Sequence, residues 1–144
     1  MSAVLVHATT IAVGGCGVLI LGDSGAGKSD LALRLIAEGA LLVADDQTRL
    51  MLNNGKLVAT APPTIAGRIE ARGVGVLGAP QIESATLHLA VELSTKLLER
   101  MPEPSSWQAP GVAAAPHLPL ISLSPFEPSA LAKLRLALIA VTRT

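Results

Sequence analysis

The sequence predicts an α/β domain: a mixed sheet with flanking helices. Three observations carry that expectation. An apolar run at 17–21 leads through a glycine-rich loop into a helical pattern at 30–38, and a second apolar run follows at 41–44. Strand, helix and strand in direct succession are the α/β signal. Asn53-Asn54-Gly55 stands between two apolar segments, which marks an antiparallel hairpin. Leu87, Leu89, Val91 and Leu93 recur at every second position, the period of a strand.

Taken in order, residues 3–6 and 10–13 form two short strands, broken from the next by Gly14 and Gly15. The run at 17–21 is short, apolar and partly β-branched, so it is a buried strand. In the helix at 30–38, Leu31 pairs with Leu35 and Ala32 with Ile36 at four-residue spacing, and Gly39 occupies the left-handed position after the helix end. The strand at 41–44 delivers Asp45 and Asp46 at its C-terminal end. Residues 48–52 and 56–61 make the hairpin. Pro62-Pro63 opens a loop, and 67–75 reads as a second loop, rich in glycine and charge. The alternating segment around Leu89 reads as a half-exposed strand. Residues 101–119 hold much Pro and Ala with little periodicity and read as irregular chain. Leu131, Leu134, Leu138 and Val141 mark a closing helix, with Ser124 and Glu127 resembling a capping box before it.

Composition excludes several classes. The chain has 144 residues, and 1–144 reads as one domain without repeats. It is 50% apolar, yet holds one Phe, one Trp and no Tyr, so Leu, Ile, Val and Ala must build the core. Eleven basic residues balance eleven acidic ones with no basic run, which argues against nucleic acid as a partner. Gly, Pro or charge interrupts every apolar stretch before the ~20 residues of a membrane span. The start lacks the pattern of a signal peptide. With Cys16 alone, no internal disulfide forms, and Cys16 reads as a small apolar filler. A cytoplasmic domain is the expectation.

Gly22-Asp23-Ser24-Gly25-Ala26-Gly27-Lys28-Ser29 fits G-x-x-x-x-G-K-[ST]. The glycines let successive backbone N–H groups surround phosphate, and the helix that follows presents its positive end there. Lys28 neutralises the β- and γ-phosphate oxygens, and the Ser29 hydroxyl ligates Mg²⁺. The entering strand and departing helix are the context this motif needs. The chain is therefore expected to bind a nucleoside triphosphate, ATP, with Mg²⁺.

Asp45 and Asp46 end the next strand, beside the phosphate loop. One carboxylate can hold Mg²⁺ through water while the other takes a proton from an attacking hydroxyl. The alternative is a plain turn or cap pair. Glu70 and Arg72 can coordinate metal and clamp phosphate, or form a solvated salt bridge. His7 ends the first strand and is a structural histidine on pattern alone, and His88 and His117 read as surface residues. Two strands before the loop, and no later apolar run ending in Asp, set the chain apart from a standard P-loop ATPase.

Together these residues resemble the HPr kinase/phosphorylase family, in its catalytic domain. The matching pieces are His7 fifteen residues before Gly22, the loop GDSGAGKS, Val43-Ala44-Asp45-Asp46, and Ile69-Glu70-Ala71-Arg72-Gly73-Val74-Gly75. The last stretch is similar to the family signature I-E-I-R-G-x-G, with Ala71 replacing a larger residue. The resemblance spans residues 4–90 and is to a short form without an N-terminal domain. It implies a P-loop fold of the phosphoenolpyruvate carboxykinase-like type. It also implies ATP-dependent phosphorylation of a serine on the phosphocarrier protein HPr, reversed by phosphorolysis with release of pyrophosphate. By the same resemblance Lys28 binds phosphate and Ser29 with Glu70 holds Mg²⁺. The Asp45–Asp46 pair supplies the proton acceptor, with Asp46 preferred. His7 biases its protonation, and Arg72 stabilises the phosphoryl charge in transfer.

One departure stands out. Relatives carry a catalytic arginine before the last helix, where this chain has Ser124-Pro125-Phe126-Glu127-Pro128-Ser129. That leaves the phosphorylase direction open. Two rival functions also remain: a small-molecule P-loop kinase, and a nucleotide-binding regulatory module without catalysis. A Leu-rich face on the last helix leaves a homo-oligomer open as well.

Overall fold

The structure, a computed structural model, describes residues 3–143. Eleven strands and two helices run in the order β1 (Val4–Val6), β2 (Thr9–Val13), β3 (Cys16–Leu21), α1 (Lys28–Ala37), β4 (Leu41–Ala44), β5 (Thr48–Asn53), β6 (Lys56–Thr60), β7 (Arg68–Ala71), β8 (Gly75–Gly78), β9 (Ser84–Leu93), β10 (Ser105–Trp107), β11 (Leu118–Leu123) and α2 (Ala130–Thr142). Nine strands form one sheet on the path β1-β5-β6-β9-β3-β2-β4, with β11 also on β9 and β10 on β11. β3 and β11 run parallel to β9, and the other pairings in this sheet are antiparallel. The sheet is therefore mixed, and the chain is α/β.

Local chemistry sets the hairpins. Asn54 and Gly55 both hold positive φ, at 53° and 77°, between the paired residues Asn53 and Lys56. Two left-handed central residues make the turn whose twist matches its strands. Gly39, at φ 104°, follows Glu38, the residue that caps the C-terminus of α1, as the spacing predicts.

β9 is the axis of the sheet, and here the structure corrects the sequence reading. The strand is not half exposed: Leu89, Ala90 and Val91 are all fully buried. Nor do its alternate leucines share one face. Leu87 packs with Ala85 and Ala90 in one core layer, while Leu89, Val91 and Leu93 pack in the other. The register against β3 shifts by one between Gly17–Leu87 and Val18–Leu89, a bulge at His88. One extra residue turns the following side chains to the opposite face. Gly17 sits at that bulge, where a Cβ would lie 2.7 Å from the Thr86 carbonyl oxygen, so the close approach requires glycine.

Two core layers result. On one face α1 and α2 bury Leu31, Leu35, Leu134 and Leu138 against Ile11, Val18, Ile20 and Val91. On the other, Leu19, Leu50, Leu57 and Leu87 pack beneath Ala109, Ala115 and Leu118. Each such Leu or Ile, fully buried, contributes about 1.5–3 kcal/mol. Cys16 packs at the rim of the helical layer, as a filler should.

Four further expectations change. Residues 67–75 are not a loop but most of a β-hairpin, β7–β8, in which Arg68, Ile69, Glu70 and Ala71 alternate exposed and buried. Residues 101–119 are not wholly irregular, since they contain β10 and the start of β11. The Ser124–Glu127 capping box does not form. Glu127 N–H bonds instead to the Ser124 carbonyl as a turn, and α2 begins after Ser129 without a side-chain cap. Val141 is exposed rather than facing the core, along with Leu136 and Ile139. Among the described residues no helix is long and apolar enough to cross a membrane.

Candidate functional site

The sheet path explains how residues far apart in sequence meet. β1 pairs with β5, and β2 pairs with β4. The chain thus crosses from one part of the sheet to the other twice, side by side, at 7–8 between β1 and β2 and at 45–47 between β4 and β5. His7 and Asp46 lie on these two crossings. Their side chains meet, His7 Nε2–H donating to Asp46 Oδ1 at 2.8 Å, in exposed surroundings. Asp46 has φ 67°, in the left-handed region that few non-glycine residues adopt but Asp tolerates. Held strain of this kind collects at functional sites.

Asp45 is different in kind. It is buried, and its carboxylate accepts three hydrogen bonds. Thr9 Oγ1–H and Ser29 Oγ–H donate to Oδ1 at 3.0 and 2.6 Å, and Glu70 N–H donates to Oδ2 at 3.0 Å. Asp45 therefore ties β2, the first turn of α1 and β7 to one point. Neither aspartate belongs to a strand, because β4 ends at Ala44 and the chain turns at Asp46.

The phosphate loop follows β3. Gly27 caps α1 with φ 103° and no side-chain bond, so the free N–H groups of the first helical turn have no acceptor inside the helix. That is an anion site by construction. Lys28 is buried and folds back, Nζ donating to the Gly22 and Asp23 carbonyls at 2.8 and 3.0 Å. An ammonium has three donors, so one remains for a ligand. Asp23 and Ser24 are exposed, as is Gly25, and Ala26 packs toward the helical core layer with its N–H on the Asp23 carbonyl.

A cleft of about 530 Å³ opens over this loop. Ser24, Gly25, Gly27, Lys28, Ser29, Asp46, Glu70 and Arg72 line it, with Leu33, Val74 and Phe126. Of the predicted residues, Gly22, Asp23, Ala26, His7 and Asp45 are not part of this wall; His7 touches it through Asp46, and Asp45 through Ser29 and Glu70. A larger hollow of about 700 Å³, between Arg49, Met51, Gln81 and Glu83, holds none of the predicted chemistry. Glu70 and Arg72 make no salt bridge with each other among the described residues, so the plain ion-pair alternative lapses. Among those residues no three His, Cys, Asp or Glu side chains cluster as a metal centre.

Sequence reasoning missed Thr9 and gave Phe126 no role. Thr9 Oγ1 bonds Asp45 and also accepts Asp46 N–H at 3.0 Å, so one hydroxyl sets both aspartates. A threonine in a strand carries no signal of that, since its β-propensity alone accounts for it.

Comparison with known proteins gives the family. The family described as HPr Serine kinase C-terminal domain matches residues 1–101. The HPr kinase/phosphorylase of Clostridium tetani is 42% identical over 76 residues, which cover 53% of this chain and 25% of that protein. That of Caldicellulosiruptor bescii is 41% identical over 97 residues, covering 62% and 31%. The match thus spans a quarter to a third of the curated relatives' length. Among solved structures, the HPr(Ser) kinase/phosphatase from Coxiella burnetii superposes with a TM-score of 0.77 at 27% identity, covering 96% of this chain and 95% of that one. The chain belongs to the HPr serine kinase C-terminal domain family.

Proposed function

We propose that the protein is an ATP- and Mg²⁺-dependent serine protein kinase of the cytoplasm whose substrate is the phosphocarrier protein HPr. The observation that carries this reading is the division of labour between the two aspartates at the mouth of the phosphate loop. Asp45 has three of its lone-pair positions occupied and is out of solvent, which makes it a poor proton acceptor but a good anchor for Ser29 and β7. Asp46 faces the cleft, bears a single side-chain bond from His7, and is free to take a proton.

In the forward direction the substrate serine oxygen attacks the γ-phosphorus and its proton passes to Asp46. The bond to the β–γ bridging oxygen breaks, and ADP leaves. Lys28 and the first-turn N–H groups of α1 hold the phosphates, and Arg72 meets the charge on the transferring group. His7 donates to Asp46 and fixes its carboxylate toward the cleft. The donors Ser29 Oγ and Glu70 are hard oxygen ligands of the sort Mg²⁺ takes alongside phosphate oxygens and water, so the site fits it without a three-carboxylate cage. When bound there, Mg²⁺ supplies charge neutralisation at the β- and γ-phosphates. Phosphorolysis is the same path reversed: an inorganic phosphate oxygen attacks phosphoserine, Asp46 returns the proton to the serine oxygen, and pyrophosphate leaves. The antiparallel β2–β3 pair before the loop supports the phosphoenolpyruvate carboxykinase-like type of P-loop fold.

The test is incubation with γ-labelled ATP, Mg²⁺ and HPr, followed by mass mapping. Phosphoserine on HPr is the expected result, and pyrophosphate should form on adding phosphate. ATP binding with no labelled HPr would turn the reading to a nucleotide-binding module. A labelled metabolite in its place would favour a small-molecule kinase. Glu70→Gln is expected to raise the Mg²⁺ concentration for half-maximal activity by about tenfold, the scale of losing one charged ligand interaction. An unchanged Mg²⁺ titration would remove Glu70 from the metal site. The main-chain N–H that Glu70 gives to Asp45 survives the substitution, so the hairpin stays docked.

A further inference from the structure

The chain's single phenylalanine is not in the core. Phe126 is 66% exposed, between β11 and α2, and its ring stands over the phosphate loop. A Cβ placed on Gly27 would lie 3.1 Å from Phe126 Cζ and 3.3 Å from Pro125 Cβ. Isolated exposed apolar residues are common and need no explanation. This one differs because the segment bearing it is braced. Arg34, tied to Asp30 at 3.1 Å, donates to the Pro125 carbonyl. Glu127 accepts from Lys133 and from Ser129 Oγ, and the Ser124 carbonyl accepts Glu127 N–H. Leu123 and Ala130 are buried at either end. The ring is thus presented to the cleft by backbone fixed on both sides.

Helix geometry indicates which part of a ligand meets it. Ser29 and Arg34 are five residues apart, which is about 140° around the axis of α1. The Ser29 side carries Asp45 and the transfer chemistry, and the Arg34 side carries Pro125 and Phe126. A polyphosphate crossing the helix mouth with its terminal phosphoryl at Ser29 leaves its other end beside Phe126. Leu33, four residues after Ser29 and so about 40° from it around the axis, lines the cleft on the Ser29 side.

We propose that Phe126 is the stacking platform for the nucleobase of the bound nucleotide; this rests on the nucleotide-binding reading above. The flat ring gives the base a π-face contact, and the bracing means little order has to be gained on binding.

Titration calorimetry on the full chain, with Mg²⁺ and either ATP or inorganic tripolyphosphate, separates base from phosphates. Phe126→Ala is expected to weaken ATP about tenfold and to leave tripolyphosphate within about twofold, while Phe126→Trp keeps ATP within about threefold, the scale of exchanging one stacking ring for another. Unchanged ATP affinity in Phe126→Ala overturns the proposal, and so does an equal loss for both ligands, which would place the ring's effect on the loop itself. A wild-type chain that holds tripolyphosphate as tightly as ATP removes the platform alone. A wild-type chain that binds neither removes the nucleotide reading, and the platform with it.

Discussion

Replacing Lys28 with alanine is expected to abolish nucleotide binding, through two losses at once. Lys28 Nζ braces the loop by donating to the Gly22 and Asp23 carbonyls, and its remaining proton faces the cleft. Removing it leaves two inward-facing carbonyls without their donor and the phosphates without their closest fixed cation. A charge-assisted hydrogen bond is worth about 1.5–3 kcal/mol, so losing the phosphate contact alone weakens binding roughly ten- to a hundredfold. The slackened loop adds to that, and calorimetry with MgATP should register no binding at micromolar protein. Alanine suits the first turn of α1, so circular dichroism should show the helix retained. Lys28→Arg should not rescue, because a planar guanidinium cannot fold into the space of a compact ammonium. ATP affinity within threefold of wild type would mean the loop is a structural turn, and every nucleotide-based reading would fall together.

What the sequence disclosed and what it hid divide along a physical line. The phosphate loop, α1 and the hairpin at Asn54-Gly55 are local, set by residues within a few positions of one another, and they were legible. The left-handed Gly39 and the glycine caps of the loop are likewise properties of single residues. The hairpin β7–β8 was hidden because its glycines and charges resemble a loop. Only the burial of Ile69 and Ala71 against the body of the protein selects the strand, and burial is a tertiary fact. β11 was hidden for the same reason: Pro119 in Leu118-Pro119-Leu120-Ile121 speaks against a strand, yet Ser106 lies opposite it in β10 and β9 supplies a parallel partner at Leu120–Leu123. The bulge at His88, which sends Leu87 and Leu89 to opposite faces, leaves the simple alternation of the sequence looking intact when it is not.

The site shows the same division. The types and spacing of Lys28, Ser29, Asp45, Asp46, Glu70 and Arg72 could be read as chemistry without a structure. Which aspartate does what could not, because the difference lies in partners 16 to 39 positions away. Thr9, Ser29 and the Glu70 main chain converge on Asp45, and His7 alone on Asp46.

That difference makes the two carboxylates separable by experiment. Asp46→Asn is expected to cut phosphotransfer by about 10²–10⁴-fold, the usual contribution of a positioned base, with nucleotide affinity and melting temperature unchanged. Asparagine keeps the size of the side chain, tolerates the left-handed backbone at φ 67°, and still offers an oxygen to His7. It cannot take a proton. Asp45→Asn behaves in the opposite way. Its oxygen can still serve Thr9 and Ser29, but its amide then points donor to donor at Glu70 N–H in a buried place. That mismatch costs about 1–3 kcal/mol of stability and loosens β7 from the loop, so melting and Mg²⁺ dependence shift along with rate. Turnover measured beside thermal melting therefore distinguishes base from anchor. Full activity in Asp46→Asn would transfer the proton to another acceptor and leave the His7–Asp46 pair a structural clasp between the two crossings.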